Sequence, residues 1–126
     1  MLSAVARGLM GEPLELPDEL LARYPELRDA RFRRGGLAVR VGGWCLGRAS
    51  VSGITLGRTI WLARGIPFDP GLLLHELRHV HQFAGDRAFP IRYLWRTLRH
   101  GYEDNPYEAD ARAYAARRVA GAPPTG

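Results

Sequence analysis

The sequence predicts an α+β fold, a small sheet followed by helices, and three observations carry that expectation. Residues 27–63 are dense in turn glycines and β-branched residues, and the chain from Asp69 onward carries helix starts and helical apolar spacing. Hydrophobic residues make up 46% of 126, enough for one core without staples. The length is that of a single domain over residues 1–126, with Gly121-Ala122-Pro123-Pro124-Thr125-Gly126 as a loose tail.

In chain order, Gly8, Gly11 and Pro13 break any long helix near the start. Pro17–Tyr24 has acids in its first turn and Arg23 near its end, as a short helix prefers, and Pro25 ends it. Gly35-Gly36 and Gly42-Gly43 are turn signals. Leu37, Val39 and Val41 alternate with Ala38 and Arg40, which predicts a half-buried strand. Residues 52–62 predict strand structure with a turn or bulge at Gly57, and the estimate for residues 27–63 as a whole is three short strands. Asp69-Pro70 starts a helix, with Asp69 as N-cap, that runs to about Ala84 before Gly85. A second helix spans about Ile91–Arg99. Its apolar Ile91, Leu94, Trp95 and Leu98 fall at helical spacing, with Arg92, Arg96 and Arg99 away from that stripe. A third begins at Asn105-Pro106 and runs to about Ala120.

The formal net charge is +5, and all 18 basic residues are arginine. They are scattered, and the densest run, Arg31-Phe32-Arg33-Arg34, is short. A solvated basic face therefore explains the charge better than a nucleic-acid surface. Cys45 is the single cysteine, so no internal disulfide forms. Neither a signal peptide nor an apolar run long enough to span a bilayer is visible. The expectation is a soluble cytoplasmic protein; signal-independent export is compatible with the same sequence. Its oligomeric state is not legible.

The residues that carry chemistry are His75-Glu76-Leu77-Arg78-His79, an H-E-x-x-H pattern on the predicted helix. Residues four apart share a helix face, so two imidazoles can bind one zinc ion from the same side. Glu76 is turned about 100° from His75. It can then serve as general base toward a metal-bound water without ligating the metal. The alternative is a surface helix that happens to carry two histidines. His81 falls among Leu74 and Leu77 on the helical wheel and reads as a core or interface histidine. Gln82 lies beside the ligand face, where lining the site and plain packing are equally open.

Glu108 is the candidate third ligand. It shares a face with Ala111 and Ala115, whose small side chains allow close helix approach. Two histidines and one carboxylate leave a fourth position for water. Asn105-x-x-Glu108 also resembles a capping box, and on that reading the ligand is elsewhere, at Glu103, Asp104 or Asp110.

His75-Glu76-Leu77-Arg78-His79-Val80-His81-Gln82, together with Thr55-Leu56-Gly57-Arg58-Thr59-Ile60 and Asn105-Pro106-Tyr107-Glu108, resembles the gluzincin clan of metallopeptidases, and within it the minimal gluzincins. The resemblance covers residues 53–116. It implies a minimal zincin-like domain, a twisted sheet against the H-E-x-x-H helix with the last helix supplying the third ligand. It implies Zn2+ on His75, His79 and Glu108, Glu76 as general base, and peptide-bond hydrolysis. It also implies an edge strand over residues 55–62 to which a peptide or protein substrate adds as a strand. The chain departs from the larger family members in two ways. Ala111 and Arg112 stand where an aspartate often orients a ligating histidine, leaving Asp104 or Asp110 to substitute, and there is no room for a second domain to wall the cleft. The small size supports an alternative, a catalytically silent zincin-fold zinc-binding module. Tyr93, His100, Tyr102 and Tyr107 are candidates for stabilising an oxyanion by position only.

Overall fold

The computed structural model describes Val5, residues 8–37, Val39 and residues 52–124. The expected α+β class holds. The elements are β1 (Glu12–Leu14), α1 (Asp18–Arg23), a 3₁₀ turn (Pro25–Asp29), β2 (Arg31–Arg34), β3 (Gly53–Leu56), β4 (Thr59–Leu62), α2 (Pro70–Gly85), α3 (Phe89–His100) and α4 (Pro106–Val119). They form a four-stranded sheet in the order β1-β2-β4-β3, with β2 and β4 parallel and the other pairs antiparallel.

The glycine signal in residues 52–62 marks a hairpin. Gly57 stands at φ 63° as the first residue of a two-residue loop, the position where a II′ turn needs glycine. Strand β1 was not legible because Pro13 weakens any strand reading. Proline is tolerated there because β1 lies at the sheet edge. Gly11, just before it, has φ 70° and approaches Arg34 so closely that a Cβ would lie 2.5 Å from the Arg34 carbonyl oxygen.

Three expectations need correction. Leu37 and Val39 are helical, not a strand, while Val41, Gly42-Gly43 and Cys45 lie outside the described residues. The physical reason is that Gly35 and Gly36, at φ 71° and 97°, turn the chain out of β2, whose two edges are already taken by β1 and β4. Of the expected edge strand over residues 55–62, only the β3 part lies at a sheet edge among the described residues. β4 lies between β2 and β3, so residues 59–62 cannot accept an added strand. The loose tail is shorter than expected, because Gly121 N–H donates to the Arg118 carbonyl and Ala122 N–H to the Arg117 carbonyl.

Helix α2 starts as its sequence dictates, with the Asp69 side chain accepting from Leu72 N–H at 3.0 Å and Pro70 in the first turn. Its buried Leu73, Leu74, Leu77 and Val80 form the core with Phe32, Ile60 and Leu62 of the sheet, Tyr24, Leu27 and, from α4, Tyr114 and Ala115. Helix α4 lies along α2, with Ala111 fully buried. Helix α3 is amphipathic as its spacing indicates, but the packed side is the aromatic one. Phe89 is buried and meets Phe83, Tyr107 and Tyr93 with ring centroids 4.7, 5.0 and 5.6 Å apart. The stripe of Ile91, Leu94, Trp95 and Leu98 faces outward.

Candidate metal centre

The sheet and α4 fix the two sides of α2 on which the polar residues fall. His75 and His79, one turn apart, face α4. There the carboxylate of Glu108, only 1% exposed, sits between the two rings. His75 Nε2 lies 2.9 Å from Glu108 Oε1, and His79 Nε2 lies 2.9 Å from Glu108 Oε2. The Tyr93 hydroxyl donates to Glu108 Oε2 at 2.9 Å. Glu108 is thus committed to side chains of α2 and α3. Asn105 caps α4 by accepting from Tyr107 N–H, and the Asn105 N–H donates to the Tyr102 carbonyl. The reciprocal half of a capping box, Glu108 to the Asn105 N–H, is not made.

The tautomer of His79 follows from its neighbours. Gln82 Nε2 donates to the Tyr107 carbonyl at 3.1 Å and to Asp110 Oδ2 at 3.0 Å, so its Oε1 must be the acceptor facing His79 Nδ1 at 2.7 Å. His79 Nδ1 therefore carries a proton, and in the neutral ring Nε2 presents a lone pair to Glu108. Two acceptors 2.9 Å apart require a cation between them, either a proton or a metal ion. In the metal-free protein the proton serves. Burial disfavours the charged His79 ring. The hydrogen bond to Glu108, the charges of Glu76 and Glu108 and the bond to Gln82 outweigh it and push the pKa up to about 9. Burial likewise opposes charge on Glu108, but bonds and charges from His75 and His79 hold its carboxyl well below the usual range. Burial, with the Glu108 charge behind it, raises the Tyr93 phenol far above its ordinary value, so it stays a donor.

Behind this first layer, Asp110 receives Arg78 Nε at 2.7 Å and Arg78 Nη2 at 3.2 Å in addition to Gln82. The bond from Arg78 leads the effects that depress its carboxyl, against an opposing burial effect. Asp110 therefore reaches His79 through Gln82. Glu103 and Asp104 are exposed in the turn before α4. His81 packs edge-on against Tyr114 at 5.8 Å, as a core or interface histidine does.

Glu76 lies on the sheet side. It is 7% exposed, and Thr55 Oγ1 of β3 is 2.8 Å from its Oε2 and 3.1 Å from its backbone carbonyl. One donor atom of each of His75, Glu76 and His79 lies within 4.8 Å of the others, a group that could hold a metal ion. Two carboxylates therefore compete as partner of the histidines. Glu108 touches both Nε2 atoms, whereas Glu76 is engaged by Thr55. Gly53 makes room for this arrangement, since a Cβ there would meet Leu62, Trp61 and the Glu76 side chain at 3.3–3.4 Å.

The centre opens into a cleft of about 260 Å³ between β3 and α3, lined by Glu76 and His79 with Ile54, Thr55, Leu56, Phe83 and Leu94 among its walls. Tyr93 and Tyr102 also line it, whereas Tyr107 stacks on Tyr93 with centroids 6.3 Å apart and His100 is exposed at the end of α3. A larger groove of about 860 Å³ runs along β1 and β2 and contains none of these groups. No family model, curated protein or solved structure matches the chain.

Thr55 entered the sequence analysis only as part of the strand motif, with no role at the site. Thr55→Val keeps the shape and removes the donor, leaving a buried carboxylate oxygen short of a partner. Urea unfolding of the metal-free protein should show a loss of about 1–2 kcal/mol. An unchanged midpoint would mean that Glu76 draws its donor from solvent instead.

Proposed function

We propose that this chain is a zinc-dependent peptidase of the gluzincin kind, in which His75, His79 and Glu108 hold the metal and Glu76 is the general base. The observation that carries this reading is the buried Glu108 carboxylate set against the Nε2 atoms of both histidines. Two imidazoles and one carboxylate suit Zn²⁺, whereas Mg²⁺ and Ca²⁺ prefer all-oxygen shells. Donor atoms around a tetrahedral zinc stand about 3.3 Å apart. The 2.9 Å separations here need only a small withdrawal of the carboxylate.

Zinc held there supplies Lewis-acid polarisation of a carbonyl and acidifies water. The protein's own groups do the rest. Gln82, held by Asp110 and Tyr107, keeps the proton of His79 on Nδ1 and so leaves Nε2 free to bind. Glu76, aligned by Thr55, accepts the proton of the attacking water and returns it to the leaving amine. Among the described residues β3 pairs only with β4, so its outer edge offers backbone groups to an extended peptide. Ile54, Leu56, Phe83 and Leu94 favour an apolar side chain in the adjoining cleft.

The test is elemental analysis of metal-replete protein together with digestion of a broad peptide pool. About one zinc per chain is expected, the occupancy of a mononuclear site. Cleavage should stop with a chelator and return with zinc. Undetectable binding after zinc titration would end the metal reading. Stoichiometric zinc without cleavage would favour the catalytically silent zinc-binding module.

A further inference from the structure

Helix α3 presents its apolar stripe to solvent: Ile91 and Leu98 are each 74% exposed, Trp95 59% and Leu94 57%. On the helical wheel the four fall within an arc of about 100°. Single exposed apolar residues are ordinary, but four on one face are a surface to be covered. The helix cannot turn to bury them. Its other side is fixed by Phe89, by the Tyr93–Glu108 bond and by Asn105 Nδ2, which donates to the Tyr93 carbonyl and to Thr97 Oγ1.

We propose that α3 is an interfacial helix that docks this domain onto the surface of an anionic lipid bilayer. The apolar arc enters the acyl boundary, and Arg92, Arg96 and Arg99, all exposed and on the adjoining arc, meet the headgroups. Charge decides between occupants. The helix contains no acid, and Arg92, although paired with Asp86 at 3.0 Å, keeps 63% of its side chain exposed. Glu103 and Asp104 follow only after the helix has ended at His100. A second copy packed face to face and antiparallel would place the arginines of both helices on one flank, and like charges oppose that pairing. A bilayer with anionic headgroups takes the apolar and the basic arcs at once, and long arginine stems reach from one to the other. The net charge of +5 adds to the attraction. The stripe continues into the cleft through Leu94, opposite the exposed Leu56 of β3, so a docked α3 sets the mouth of the cleft beside the membrane. No described helix is long and apolar enough to cross the bilayer, which is compatible with surface docking.

The experiment is co-sedimentation of the full chain with vesicles of phosphatidylcholine, with and without phosphatidylserine. The parent should bind the phosphatidylserine vesicles, and added salt should weaken binding. The double variant Ile91→Ser/Leu98→Ser, at the two most exposed positions, should lower the apparent partition coefficient at least about tenfold. Arg96→Gln/Arg99→Gln should erase most of the preference for phosphatidylserine. Far-UV circular dichroism confirms that each variant is folded. Three results overturn the proposal: no binding of the folded parent at low salt, binding that the Ile91→Ser/Leu98→Ser variant retains in full, or a parent that self-associates through this face and ignores vesicles. None of these readouts depends on metal or on peptide cleavage.

Discussion

Glu76→Gln should retain one zinc per chain and hydrolyse peptides about a thousandfold more slowly than the parent, within the usual range for loss of a general base. The exchange keeps the size of the side chain, and the amide oxygen can still accept from Thr55 Oγ1. It removes only the ability to take a proton. Metal content is the informative control. Glu76 belongs to the group of donor atoms within 4.8 Å of one another. If it were a ligand and not a base, Glu76→Gln would lose zinc and activity together. Full metal with lost turnover assigns the base; lost metal assigns a ligand; unchanged turnover removes Glu76 from the mechanism. Thr55→Val provides a graded companion, because it leaves the carboxylate in place and disturbs only its alignment. Its turnover should fall far less than that of Glu76→Gln.

The elements that the sequence made legible are those whose signals are local. Asp69-Pro70 and Asn105-Pro106 state both helix starts, and both side chains cap as expected. Gly57 states the hairpin turn. The H-E-x-x-H spacing puts His75 and His79 on one face without any tertiary information. What stayed hidden depends on partners far along the chain. Pro13 concealed β1, which exists because β2 offers it an edge. The alternation of Leu37, Val39 and Val41 resembled a strand, yet no edge of β2 remained for it. The stripe of α3 announced an amphipathic helix, but periodicity cannot say which side packs. Here Phe89 and Tyr93 bind the helix to the aromatic cluster, and the longer apolar stripe is left outside. In the candidate site, Gln82 and Asp110 were ambiguous because their roles rest on orientation, which the chain Arg78–Asp110–Gln82–His79 now supplies.

Glu108→Gln should weaken zinc binding at least tenfold, about 1.4 kcal/mol. A carboxamide is nearly the same shape as a carboxylate but a much poorer donor to zinc, and it leaves a dipositive ion with less charge compensation in a buried site. The structure also alters what is expected of the metal-free protein. Glu108 accepts from Tyr93 and faces both histidine Nε2 atoms, so a glutamine removes the negative charge that these three partners share. Loss of these charge-assisted bonds should lower the stability of the metal-free variant by about 1.5–3 kcal/mol, more than the removal of a surface cap would cost. Isothermal titration with zinc and urea unfolding of the apo protein measure the two effects separately. A large stability loss with unchanged zinc affinity would make Glu108 a buried structural partner of the histidines. The third donor would then be Glu76, and the Glu76→Gln variant would be the one that loses its metal. Asp110 is a weaker candidate, because Arg78 and Gln82 already occupy its oxygens. The two variants together therefore decide which carboxylate holds the ion and which moves the proton.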